Sequence, residues 1–367
     1  MEEEEEGDEF LKVLRALRDA ARAVESGSGG PALHALLALD ASKDHLLAGD
    51  PELRALCRVL ARVRALSWSL ELSVGEPEGG GLVGELRARC RRCKTRRGIA
   101  RAAGEVAREI QAWMDRELAK RLVAALRREG DVDARASALL GELEARLMGL
   151  AESGRFDARL QDAVLRHGVF AAVEARLGVG DPSPVSDGCA AVVLALVRFN
   201  RDVFVGPVLM GPAVGALVSA AASSPAPLRA LNGLVDAIRT PLVDELHGRG
   251  ELPRLVALLF GDPRVRALAL ELVLRVAYYG RGEVLDALLA EGLVKRLLCL
   301  QRTSGLGGGE FVSAVARFAV QVEVGQGLGP REKRLAKLDI LRRVREAAVS
   351  PAEEATVVAE VLWGATP

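Results

Sequence analysis

Cys90-Arg91-Arg92-Cys93 has the spacing of half a zinc knuckle. A structural zinc ion takes four ligands, and no second Cys/His pair follows at a workable distance, so the spacing implies no metal site. A reactive thiol pair beside Arg91, Arg92 and Lys94 is the other chemistry such a motif offers. The motif lies within a basic run. Arg87, Arg89, Arg91, Arg92, Lys94, Arg96, Arg97 and Arg101 are eight cations in fifteen residues. Such a run suits a nuclear-import signal, a phosphate-contacting patch or a solvated helix face. It holds no aromatic residue for base stacking, which disfavours single-stranded nucleic acid. The second basic stretch, Arg331 to Arg345, is diluted by Glu332 and Asp339.

The remaining chemical candidates are weaker. His34, His45, His167 and His247 are scattered, and no Ser/His/Asp or Cys/His set has local support. Gly305–Gly309 and Gly325–Gly329 are glycine-rich, but no Lys-Ser/Thr follows either and no strand precedes them. They read as inter-helix loops rather than phosphate loops. No cofactor is implied, and the sequence gives no reason to expect an enzyme.

The elements around these residues read as helices throughout. Half of the 367 residues are apolar and only 4% aromatic, with Leu, Ala and Val filling the apolar positions. Formal net charge is zero, so no overall field favours nucleic acid or an anionic membrane. The start, MEEEEEGDEF, lacks the basic and apolar regions of a secretory signal. Five cysteines, an odd number and mostly scattered, fit a reducing compartment. The expected address is cytoplasm or nucleus. Val203 to Leu228 carries no charge over 26 positions, enough to cross a bilayer. Gly206-Pro207, Gly211-Pro212 and Gly215 interrupt it, so buried repeat helices are expected and no membrane span.

The chain is organised around Gly250 to Arg302. Leu252, Leu255, Val256 and Leu259 share one helical face. Gly261 stops that helix, and Asp262-Pro263 starts the next with an N-cap and a proline at the first position. The helix then runs to about Ala277, and a short one covers Glu283 to Ala290. At Gly292 the pattern restarts, and Gly168 and Gly211 open comparable helices upstream. The spacings of these glycines are 43, 39 and 42 residues, the period of stacked helical repeats.

GELPRLVALL at 250–259 and DPRVRALALELVLRVA at 262–277 resemble the armadillo repeat. The resemblance covers about 160–367. It implies an all-α fold: a right-handed α-solenoid of armadillo-like repeats preceded by an N-terminal helical bundle. The expected division is an acidic disordered tail at 1–8, a bundle at 9–130, and a solenoid with C-terminal capping helices at 131–367. A helical N-terminal segment is also found in the plant armadillo proteins of the U-box ligase group, although this chain shows no U-box.

The resemblance further implies a groove along the third helices that binds an extended peptide. Family members that carry import cargo place Trp and Asn ladders there. The corresponding positions here hold Asn232 and Asp236 in one unit, Glu271 and Arg275 in the next, and Ala191 and Ala195 in the preceding one. The ladder is absent. The expected function is a non-catalytic scaffold for a protein partner, with Asn232, Asp236, Glu271 and Arg275 as groove residues. The alternatives are an adaptor in a ubiquitin-ligase pathway and a nucleic-acid-associated protein using the basic helix.

Overall fold

A computed structural model describes residues 2–27, 31–38, 53–75, 81–127, 133–178, 183–304 and 311–363. Every regular element among them is helical. Contacts divide the chain into two units: Met1–Lys120 with Ala158–Val164, and Arg121–Asp157 with Leu165–Pro367. The first division therefore falls inside a helix, ten residues before the expected boundary at 130.

The first unit holds α1 (Glu2–Glu25), α2 (31–38), α3 (Arg54–Gly75) and most of α4 (Gly81–Arg127). The helix α1 starts at Glu2, so the acidic run expected to be a disordered tail is helical backbone. Leu14, Leu17, Leu56, Leu60, Val106 and Ile110 fill the core. The rings of Phe10 and Trp113 meet edge to face at 5.5 Å. Gln111 ties α1 to α4 by accepting from Arg18 at 3.1 Å and Arg22 at 3.2 Å. The helix α4 runs 47 residues and continues through Gly98. Gly98 lies against Leu66 of α3, and burial there offsets glycine's helix penalty of about 1 kcal/mol. The Asp50-Pro51 helix start and His45 lie outside the described residues.

The second unit is a stack. It begins with α5 (Asp133–Glu152). Four sets of three helices then follow in chain order, the first of them opening with a helix whose residues 158–164 fall in the first unit. They are α6 (Ala158–Arg166), α7 (Val169–Leu177) and α8 (Pro184–Phe199); α9 (Arg201–Met210), α10 (Ala213–Ala220) and α11 (Pro225–Ile238); α12 (Thr240–Gly248), α13 (Leu252–Leu258) and α14 (Pro263–Tyr279); and α15 (Gly282–Ala290), α16 (Leu293–Ser304) and α17 (Ala314–Val324). The chain closes with α18 (Pro330–Ala347) and α19 (Pro351–Trp363).

The repeat glycines explain the corners. Gly168, Gly250 and Gly292 sit between the first and second helices of their sets at φ of 66°, 70° and 70°. A side chain there would be strained, so glycine recurs. Gly211 differs because Pro212 follows it and holds it extended, at φ −86° and ψ 179°. The apolar stretch around it is split into α9 and α10, bent by 74°. No single described helix is long and apolar enough to cross a membrane.

The third helices start alike. Ser183-Pro184, Ser224-Pro225 and Asp262-Pro263 each place an N-cap before a proline, and each cap side chain accepts a backbone N–H. The helix α17 is the shortest of the third helices, with 11 residues. Its start is set by Ser313 at φ 50°, and Gln301 of α16 accepts from Val315 N at 3.3 Å. The third helices form one row: α8 packs between α5 and α11, α11 between α8 and α14, and α14 between α11 and α17. Val193, Leu196, Leu231, Leu234, Val273, Val276 and Phe318 are buried within it. Burying each such side chain contributes about 1.5–3 kcal/mol. At the end, Arg302 of α16 donates to both oxygens of Glu353 on α19, at 2.6 and 2.9 Å.

Candidate partner-binding surface

Each third helix has neighbours on both flanks and its own set's second helix behind, which leaves one face to solvent. On that face the four residues selected by the repeat alignment meet. Arg275 of α14 reaches back to α11. Its Nε donates to both carboxylate oxygens of Asp236 at 3.0 Å. Its Nη1 donates to Oδ1 of Asn232 at 2.7 Å and to Oε2 of Glu271 at 3.3 Å. Asp236 and Glu271 keep 48% and 50% of their side-chain surface exposed.

Asn232 plays a different part from the one expected. It is only 5% exposed. Its Nδ2 donates to the carbonyls of Leu228 and Leu268, each at 3.1 Å. Both amide hydrogens and the side-chain oxygen are therefore engaged. Asn232 anchors α11 to α14 and offers no amide to a partner. A second correction concerns α8. Ala195, placed by letter alignment in the column of Asp236, is fully buried. The outward residues of α8 are Ala191, Leu194 and Arg198.

Leu194 and Arg198 reach α11 at Gly233. A Cβ on Gly233 would meet the Leu194 δ-carbons at 2.7 and 2.8 Å and Arg198 Nη2 at 3.3 Å. Arg198 thus lies over one side of α11 while Arg275 grips the other. Arg198, Arg229 and Arg239 are exposed, and their side chains have no partner among the described residues. Arg239, at the α11–α12 corner, has φ 68° and ψ −138°, a conformation rare outside glycine. On α17, Val320 and Val324 are exposed.

Sequence reasoning did not select Arg198, Arg229 or Arg239. The Ser183-Pro184 and Ser224-Pro225 starts were the available signal, since they mark α8 and α11 as third helices. The glycine run 325–329, expected to be a loose loop, is pinned, because Gln326 N donates to the carbonyl of Tyr278 at 2.7 Å.

The basic run lies on α4. Arg87, Arg89, Arg91, Lys94, Arg96, Arg97 and Arg101 are exposed, and Arg92 is half-buried. Cys90 and Cys93 are exposed free thiols. Among the described residues, no three His, Cys, Asp or Glu side chains are grouped to hold a metal. Cys189 is buried in α8, and burial pushes its thiol pKa up to about 12.

No family model matches this chain, and no curated protein does. Solved structures similar to it include an engineered protein at 18% identity and TM-score 0.49, covering 67% of this chain and 95% of that one. A designed armadillo repeat protein matches at 15% identity and TM-score 0.45, covering 66% of this chain and 99% of that one. Another, solved in complex with the peptide (KR)4, matches at 16% identity and TM-score 0.45, over 67% and 99% of the two chains.

Proposed function

We propose that this chain is a non-catalytic scaffold that holds an extended segment of a protein partner across α8, α11, α14 and α17. The observation that carries this reading is the row's outward face. It sets the unpartnered Arg198 and Arg229 beside the half-exposed carboxylates of Asp236 and Glu271, with bare valines beyond. Packed helices lie about 8–10 Å apart. An extended chain rises about 3.3 Å per residue. A segment crossing the row therefore meets a new helix about every third residue. It would present an acidic residue to Arg198 and Arg229, a basic one to Asp236 and Glu271, and an apolar one to Val320 and Val324. Surface cation–carboxylate contacts of this kind confer specificity and registration more than raw affinity.

The test is selection from a displayed peptide library, using the chain and an Arg198→Glu/Arg229→Glu variant. These two residues take no part in the Asn232–Arg275 cluster, so melting should not change. Peptides with separated acidic and basic residues should be enriched and should bind the variant at least tenfold more weakly. Equal binding to both forms overturns the assignment.

A further inference from the structure

The row of third helices leaves one built feature unexplained, on α4 in the first unit. A hollow of about 440 Å³ is lined by Arg89, Arg92, Arg96 and Arg97, with Cys93 and Ala100 between them.

The charge around it is one-sided. Between Glu85 and Glu105 the sequence holds eight cations and no carboxylate. Several arginines elsewhere are matched to acids, as in Arg275 with Asp236, Arg302 with Glu353, and Arg343 with Asp339. Arg89, Arg96 and Arg97 have no such partner among the described residues. On one helix, residues three or four apart are neighbours, about 5–6 Å between Cβ atoms. Six pairs among these eight cations have that spacing, and each like-charged pair weakens the helix. A bound polyanion would turn this repulsion into attraction.

The shape and chemistry of the lining narrow the ligand. Guanidinium groups engage phosphate oxygens in a bidentate manner. Arg89, Arg92 and Arg96 follow one another at spacings of three and four, so their side chains can close on one compact group. The two small residues, Cys93 and Ala100, leave the space between them open. Among the described residues no aromatic side chain lines the hollow, so none of them stacks on a base there. We propose that the hollow between Arg89, Arg92, Arg96 and Arg97 is a binding site for a compact anion bearing several phosphate groups.

The experiment is calorimetric titration of the full chain with tripolyphosphate, inorganic phosphate and sulfate at about 0.1 M salt. Tripolyphosphate should bind at least a hundredfold more tightly than the two simple anions. Arg89→Ala/Arg96→Ala should lose at least tenfold in affinity with melting unchanged or raised, and Arg89→Lys/Arg96→Lys should recover part of the loss. Location is read at Cys93, whose alkylation by a neutral reagent, followed by peptide mapping, should slow at least fivefold with tripolyphosphate while Cys299 is unaffected. Vesicles carrying a bisphosphorylated inositol lipid separate the sources. Vesicle binding that tripolyphosphate displaces supports the site with a lipid headgroup as its ligand, and tripolyphosphate binding without vesicle binding supports it with a soluble one. Equal affinity for all three anions, an unaffected double alanine variant, or an unprotected Cys93 overturns the proposal. So does binding only to long RNA or DNA with affinity rising with strand length, because that would make α4 an extended electrostatic track.

Discussion

Removing Arg275 should weaken the repeat stack more through Asn232 than through Asp236. The Arg275 side chain is 33% exposed and that of Asp236 is 48% exposed, so solvent screens their ion pair. Such pairs contribute about 0.3–1 kcal/mol. Asn232 is buried, and its oxygen would lose a charged donor at 2.7 Å. A hydrogen bond to a charged group contributes about 1.5–3 kcal/mol. Arg275→Ala should therefore cost about 2–3 kcal/mol in all, most of it through the amide. The assay is urea denaturation followed by helical signal for Asn232→Ala, Asp236→Ala, Arg275→Ala and the two double variants containing Arg275→Ala. The cycles isolate each pair from the other bonds Asn232 makes. Stacked repeats are coupled chiefly to their neighbours, so amide exchange in α11 and α14 should report the same loss locally. The Asn232–Arg275 coupling should exceed the Asp236–Arg275 coupling about twofold. At 1 M salt, where charges are screened beyond about 3 Å, only the Asp236 coupling should fade. Equal couplings, or a parallel fall in both with salt, would refute the reasoning.

Three further outcomes follow from packing and ionisation. Gly233→Ala should stabilise by up to about 1 kcal/mol, because the Leu194 δ-carbons and Arg198 Nη2 it would meet are the ends of outward side chains that can move aside, which leaves alanine's helix preference. A lowered urea midpoint would count against that reasoning. Glu174 accepts from Ala213 N at the start of α10, and burial raises its carboxyl pKa above 4.5 despite that bond and Arg249. Its ionised form is therefore disfavoured in the fold at neutral pH, and the penalty disappears as pH falls towards 4.5. Glu174→Gln should raise the melting temperature at pH 7, with the gain shrinking on acidification. A gain that persists at pH 4 would count against burial as the cause. Cys90 and Cys93 should alkylate in the native chain and Cys189 only after unfolding, since it is buried with its pKa pushed up to about 12. Peptide mapping after a timed pulse checks the order.

The stacked architecture was legible because glycine marks the corners. Gly168, Gly250 and Gly292 are visible as a period in the letters, and all three adopt left-handed backbone that other residues resist. The outward face was harder to read. The helices α8, α11, α14 and α17 span 16, 14, 17 and 11 residues, so no fixed offset keeps the same side chain outward in each. Asp236, Glu271 and Arg275 reach the exposed face of the row because α11 and α14 are aligned near their centres. Ala195 came out wrong by about one helical step, which moved it from surface to core. Asn232 was on the correct helix and close to the correct face, but its burial depends on Leu268 of the next repeat, some 36 residues on. The unpartnered state of Arg198 and Arg229 depends likewise on what other helices fail to bring near them. No local pattern encodes that.

The bond from Asn232 to the Leu268 carbonyl has a consequence for how these repeats could be exchanged. It joins a side chain of one set to the backbone of the next, and every residue at position 268 supplies the same carbonyl. At that joint the third set is interchangeable with any other that brings a helix of similar path. Arg275 is the opposite kind of connector, because only a guanidinium in that place meets Asn232 and Asp236 together. A grafted repeat would keep the first connection whatever its sequence and would have to carry the second with it.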